Sequence, residues 1–228
     1  MKAVIFDMDG LMIDSEIVTY EGYKIALEKR GYKNSKEFYK TTLGTTSALT
    51  KKMYQEEYGI DIPYDEMLVE VHEYMEKRFE TEGIPLKKGL IELLTYLKEN
   101  QYKTIVATSS YKDRVMKIFD QASLHQYFDD YICGNEVTKG KPNPEIFLTA
   151  CKKLKVNPED ALVLEDSEAG IQAAYDGHIK VICVPDMKYP SSQYEAMTLK
   201  VMNSLEDVLE YIKKSQWYWL FLLNSYFY

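Results

Sequence analysis

Val4-Ile5-Phe6-Asp7-Met8-Asp9-Gly10-Leu11 is the stretch around which the remaining residues organise themselves. The apolar run from Ala3 to Phe6 has the length of a buried strand rather than of a helix. It delivers two acids one residue apart and then a glycine. Residues i and i+2 of an extended chain project to the same side, so Asp7 and Asp9 start close together. Two like charges at a strand end repel unless a cation or a shared proton lies between them. A cation is therefore expected, and ligands that are all oxygen suit Mg²⁺ best. Gly10 lets the backbone turn sharply and leaves room for a bulky group. Alone, Asp-x-Asp-Gly is as readily a strand ending in a solvated acidic turn, so the rest of the chain has to decide.

The 228 residues suit one large domain or two small ones, and 46% apolar with 28% charged is the balance of an ordinary soluble protein. A net charge of −8 and a pI near 5.1 argue against nucleic acid or an anionic membrane as the main partner. An acidic protein still binds a phosphate where a metal and one lysine reverse the local sign. Cys133, Cys151 and Cys183 lack metal-type spacing and read as buried small hydrophobes in a reducing cytoplasm. His72, His125 and His178 are far apart, and none is read as a ligand. Met1-Lys2-Ala3-Val4 lacks the build of a signal peptide, which makes the cytoplasm the expected compartment.

After Asp14-Ser15-Glu16 the pattern turns helical, with Ser15 as the expected cap and Ile17, Tyr20, Tyr23 or Lys24, and Leu27 on one face. From Ser35 to Glu82 nothing resembles a strand. Leu49 and Met53 share a face of a helix ending near Gly59, and a stronger one from about Asp65 repeats Leu68, Val71, Met75 and Phe79. Residues 16–81 thus read as an all-helical insert. Beyond Gly83-Ile84-Pro85 helices and strands alternate. A Leu90, Leu93, Leu94, Leu97 helix leads to the strand Lys103–Ala107, then come a Val115, Ile118, Phe119 helix and a short strand Asp130–Cys133. Asn143-Pro144 caps the next helix with proline at its first position. The strand Ala161–Leu164, a helix Ala169–Tyr175, a strand Lys180–Val184 and a last helix Ser204–Lys213 complete the order. Such alternation implies a parallel, doubly wound α/β sheet. The apolar run Trp217–Leu223 is far shorter than the roughly 20 residues of a membrane span. It pads a groove, makes a subunit contact or is foreign to the fold; packing on the core or on a second subunit is the expectation.

The polar residues converge on this map. Asp7 and Asp9 end the first strand, Thr108 and Ser109 the second, Glu165 and Asp166 a third, and Lys141 follows a short fourth. In open parallel sheets the ligand crevice lies beyond the carboxyl ends of the strands. Taken singly, Thr-Ser-Ser is a strand exit and Lys-Pro a solvated loop. Taken together, they suit a phosphate and Mg²⁺.

With those motifs in view, the chain resembles the haloacid dehalogenase superfamily of phosphotransferases, in the subfamily with a helical cap inserted after the first motif. It is most similar to beta-phosphoglucomutase- and phosphoglycolate-phosphatase-like members. Asp7-Met8-Asp9-Gly10, Thr108-Ser109, Gly140-Lys141-Pro142-Asn143-Pro144 and Leu164-Glu165-Asp166-Ser167 match its four motifs from Lys2 to about Lys213. The resemblance implies a Rossmann-like α/β core of residues 1–15 and 82–214, a helical cap domain of 16–81, and an apolar tail, 215–228, without counterpart. Asp14-Ser15-Glu16 and Pro85–Gly89 fall at the family's two hinges. It further implies that Asp7 is the nucleophile and Asp9 the general acid and base. Thr108, Ser109, Lys141, Met8 and Asp9 would contact the phosphoryl group. Asp7, Asp9 through its backbone carbonyl, and Asp166 would hold Mg²⁺, with Glu165 acting through a water or from behind them.

The implied function is Mg²⁺-dependent hydrolysis of a small phosphate monoester, a sugar phosphate or nucleotide, by a cytoplasmic monomer or weak homodimer. Asp9 excludes the metal-free dehalogenases, which lack the second acid. A two-component receiver domain shares the residue types but has no helical insert, and its phosphorylated Asp lies on a middle strand. A phosphate sensor without catalysis fits poorly with two retained acids. The mutase is the nearer rival. Its members carry a cap histidine where this chain has Thr19, and an arginine that grips the second phosphate where this chain has Gly44-Thr45-Thr46-Ser47. Lys51, Lys52, Lys77 or Arg78 could stand in for that arginine.

Overall fold

The chain runs β1 (Ala3–Phe6), α1 (Ser15–Glu28), α2 (Lys36–Thr42), α3 (Ser47–Tyr58), α4 (Tyr64–Glu82), α5 (Leu90–Glu99), β2 (Lys103–Ala107), α6 (Lys112–Ala122), β3 (Asp130–Ile132), α7 (Glu145–Leu154), β4 (Ala161–Glu165), α8 (Glu168–Asp176), β5 (Lys180–Cys183), α9 (Ser192–Glu195), β6 (Lys200–Val201) and α10 (205–214). The computed structural model describes residues 1–214. The tail, and with it the expected packing of Trp217–Leu223, lies outside the described residues.

Every residue of β1 is buried, because the strand has a neighbour on each edge and helices on each face. Ala3–Phe6 pairs in parallel with Lys103–Val106 on one side and with Ala161–Leu164 on the other. The strand order is β3-β2-β1-β4-β5-β6, parallel throughout. Alternate residues serve the two faces, as the pleat requires. Val4, Phe6, Val106, Leu162 and Leu164 pack against the leucines of α5, Val115, Ile118 and Phe119 of α6, and Leu205, Val208 and Ile212 of α10. Ala3, Ile5, Ile105 and Val163 pack against Ile146, Phe147 and Ala150 of α7 and Ile171 and Ala174 of α8.

Helices α1 to α4 form a separate apolar cluster rich in aromatic rings, in which Tyr23, Tyr39, Tyr54 and Tyr64 are all buried. The Tyr23 and Tyr64 hydroxyls lie 2.9 Å apart, giving two buried polar tips one shared hydrogen bond. The chain crosses between this layer and the sheet twice, and the crossings are paired. Ile13 and Leu86 form an antiparallel bridge, the Asp14 N–H donates to the Pro85 carbonyl at 2.8 Å, and the Lys87 N–H donates to Met12 at 2.9 Å.

The expected elements appear, with corrections. Ser15 is the first residue of α1 rather than its cap, and the capping position falls to Asp14 without a side-chain bond. The buried face of α1 holds Val18, Gly22, Tyr23, Ala26 and Leu27 rather than Ile17 and Tyr20. On α3 Leu49 is exposed and Tyr54 is the buried anchor. On α4 the stripe passes through Met67 rather than Leu68. Pro144 caps α7 from outside its first turn, while Asn143 Oδ1 accepts from the Glu145 N–H at 3.1 Å. The short elements α9 and β6 had no expected counterpart. No helix among the described residues is long and apolar enough to cross a membrane.

Candidate active site

Strands β1 and β4 are neighbours where the strand order reverses, and there the connections leave on opposite sides and open a crevice. Both end in acids. Past β1 the backbone folds back on itself: Met8 accepts from the N–H groups of Met12 and Ile13 at 2.9 and 3.1 Å. Gly10 has φ +84°, and a β-carbon there would lie 2.2 Å from Asp166 Oδ2. Only glycine lets the two acidic loops approach so closely.

Lys141 Nζ donates to Asp7 Oδ1 at 2.5 Å and to Glu165 Oε1 at 2.6 Å. All three side chains are at least nine-tenths buried. The ammonium also sits 4.8 Å from the centre of the Phe147 ring. Burial alone would lower the Lys141 pKa, but the two carboxylates outweigh it and hold the group above the usual lysine range. Glu165 has no oxygen to spare. Its Oε2 accepts from the Asp166 and Ser167 N–H groups at 2.9 and 2.7 Å and from Ser167 Oγ at 2.8 Å. Gly170 permits this, since a β-carbon there would fall 1.9 Å from the Glu165 carboxyl. Glu165 thus anchors Lys141 and the loop after β4.

Oxygens of Asp7, Glu165 and Asp166 all lie within 4.8 Å of one another. Burial pushes Asp7 up to about 7, against the pull of Lys141. Burial, then Glu165 and Asp7, raise Asp166 well above the carboxylate range. With Glu165 engaged behind them, Asp7 and Asp166 offer the hard oxygen donors that fit a divalent cation of the Mg²⁺ kind.

The Asp9 carboxylate is directed elsewhere. Ser110 Oγ donates to Asp9 Oδ2 at 2.7 Å and Arg114 donates to Oδ1 at 2.6 Å. Thr108 is buried, and its hydroxyl accepts from the Ser110 N–H at 3.0 Å. Ser109 is exposed at the crevice, backed by Gly134, whose missing side chain lets the Ser109 carbonyl approach. Of the expected site residues, Asp7, Asp9, Thr108, Ser109, Lys141, Glu165 and Asp166 line one cavity of about 610 Å³. Met8 does not line it; its side chain is buried among the residues facing α5, which leaves its backbone as the part that could reach a ligand.

The roof of the cavity comes from the four-helix layer: Glu16, Thr41, Leu43, Gly44 and Thr45. None of Lys51, Lys52, Lys77 and Arg78 lines it. Lys51 pairs with Asp65, Lys52 with Glu56, and Arg78 with Glu21 and Glu82. Thr19 turns onto its own helix, donating to the Ser15 carbonyl at 2.8 Å. Sequence reasoning missed Arg114, Ser110 and Asp186. Ser110 and Asp186 lie just past strand ends as Asp7 does, but no motif spacing marks them, and Arg114 sits in the first turn of α6.

A family model described as haloacid dehalogenase-like hydrolase matches residues 4–184. Over 182 residues the chain is 32% identical to the phosphorylated carbohydrates phosphatase of Thermotoga maritima, covering 80% of this chain and 84% of that protein. It is 31% identical over 213 residues to a provisionally named pseudouridine-5'-phosphatase of Drosophila melanogaster, with 89% of each chain covered. A crystal structure of a provisionally named beta-phosphoglucomutase from Thermotoga maritima superposes with a TM-score of 0.78 at 29% identity, covering 94% of this chain and 99% of that one. The four motifs, the sheet order and these matches agree: the chain belongs to the haloacid dehalogenase-like hydrolase family.

Proposed function

We infer that the protein is a Mg²⁺-dependent phosphatase of small phosphate monoesters, acting through an aspartyl phosphate on Asp7. One observation carries the reading. The Asp7 carboxylate, bonded to Lys141, lies at the switch point of the sheet beneath a cavity that also admits Asp9. An Asp7 oxygen attacks phosphorus and the bond to the ester oxygen breaks, with Asp9, turned away from Ser110 and Arg114 toward the ester and protonated, giving its proton to the departing alkoxide. Asp9 then takes a proton from water, which attacks the same phosphorus and frees Asp7 and inorganic phosphate. Lys141 and the Ser109 amide neutralise and orient the phosphoryl oxygens, and Thr108 supports that loop through Ser110. Asp7, Asp166 and the Asp9 carbonyl would hold Mg²⁺, which when bound offsets charge on the transferring group. The helices of residues 16–81 act as a cap that excludes water during transfer.

Hydrolysis is favoured over phosphate transfer within a sugar because no cation of the cap lines the cavity among the described residues, and Thr19 is turned away. The 29% identity to the provisionally named mutase keeps transfer as the second reading. Phosphate release from a panel of sugar phosphates and nucleotides, with Mg²⁺ and with chelator, tests the assignment. Release that depends on Mg²⁺ and vanishes in Asp7→Asn is expected. Conversion of beta-glucose 1-phosphate to glucose 6-phosphate with little free phosphate would overturn it.

A further inference from the structure

Among the described residues the cavity is lined by seven acids and two lysines. Lys141 is tightly held, whereas Lys188 is half-exposed and its contact is long. Lys141 serves Asp7 and Glu165, and Lys188 lies 3.5 Å from Glu168. Of the cations behind the wall, Arg114 pairs with Asp9 and Lys87 with Asp14 and Asp186, while exposed Lys36 acts on Asp186 from farther off. Besides the motif residues and those that directly follow them, the lining holds neutral Thr41, Leu43, Gly44, Thr45 and Met187, the cation Lys188, and two acids, Glu16 from the helical layer and Asp186 from the loop after β5.

These two acids have acceptor capacity left over. Tyr39 donates to Glu16 Oε2 at 2.6 Å, which leaves Oε1. Lys87 donates to Asp186 Oδ1 at 2.5 Å, while Asp186 Oδ2 is buried with no hydrogen-bond partner among the described residues. The Asp186 side chain is only 10% exposed and this oxygen is closed off, so a donor in the cavity reaches it once the side chain turns toward the cavity. Burial raises the pKa of both groups, and Asp186 pushes Glu16 up further. A bound donor would relieve that strain.

Resting on the phosphatase reading, we propose that Glu16 and Asp186 select monoesters whose remaining groups are uncharged hydroxyls, and reject those carrying a second anion. Ionised carboxylates only accept hydrogen bonds, and a sugar or polyol hydroxyl supplies the donor. A substrate carboxylate or second phosphate brings no donor at neutral pH. It also meets like charge in a desolvated crevice, where repulsion is screened little.

The test uses matched esters with Mg²⁺: glycerol 3-phosphate against 3-phosphoglycerate, and sorbitol 6-phosphate against 6-phosphogluconate. Each pair differs by CH₂OH replaced with a carboxylate. The expected kcat/KM favours the neutral ester by a factor of about 10² or more in at least one pair. In a folded Glu16→Gln, Asp186→Asn double variant, checked by its melting curve, the factor should fall below about 10, chiefly by gain on the acid. A ratio unchanged in that variant would take the selection away from these residues. Hydrolysis of p-nitrophenyl phosphate with no preference in either pair would overturn this inference alone. No phosphate from any ester, p-nitrophenyl phosphate included, would overturn the phosphatase reading and this one with it.

Discussion

Gly10 and Asp166 set the tolerance of the site at the level of single atoms. A β-carbon at Gly10 would overlap the Asp166 carboxylate and force an L residue into φ +84°. Gly10→Ala should therefore displace Asp166 and weaken Mg²⁺ binding at least 10-fold, as outer partners of metal ligands commonly do. Calorimetric titration checks this, and wild-type affinity in the variant would remove Asp166 from the metal site. At Asp9, substitution by Asn should slow turnover by about 10²–10⁴, read as phosphate release. The protonation of Asp7 makes a further forecast. Its pKa moves from 3.8 to about 7 on folding without metal, so the unfolded chain gives up that proton more readily. Metal-free stability should accordingly fall as pH rises from about 4 through 7. A cation binds only after the proton leaves, so the rise in Tm caused by Mg²⁺ should grow from pH 6 to pH 8. A rise independent of pH would speak against proton and metal sharing one carboxylate.

Among the elements, α5 has the simplest energetics. Leu90, Leu93, Leu94 and Leu97 are fully buried on one stripe, and Leu94→Ala should cost about 2–5 kcal/mol in urea unfolding. That helix, β2 and the end of β1 were legible because long apolar runs bounded by turn residues allow one reading. The phase of α4 was less so. Met67 and Leu68 both complete a helical stripe with Val71, Met75 and Phe79, and only the packing against α1 selects Met67. In α1 and α3 tyrosines blur the stripe, since a ring with a polar tip suits either environment. The four residues of α9 and two of β6 are too short to show any period. The motif acids were visible from their spacing. Arg114 and Asp186 were not, because their partners are brought near only by the sheet.

For the whole molecule, the decisive relation is that of the four-helix layer to the sheet. The layer has its own apolar cluster and is tied to the sheet by two paired crossings. Residues 16–81 should move as one body about Asp14–Ser15 and Gly83–Pro85, closing the cavity over a bound ester. Crystals of the free protein and of a complex with a transition-state analogue, both without lattice restraint on the layer, would measure the rotation. Identical positions would refute it.

The pairing of Ile13 with Leu86 has another side. The chain departs for the helices and returns through one doorway, so everything between is an excursion from an uninterrupted sheet. A short turn joining the doorposts would leave the pairing of β1 with β2 and β4 untouched, and with it the acids at their ends. What would vanish is the roof that contains Glu16, Thr41 and Leu43. The reacting groups and most of the groups that face the rest of the ester, Asp186 being the exception, are thus inherited from separable tracts of sequence. One tract can drift toward new tastes while the other keeps its chemistry.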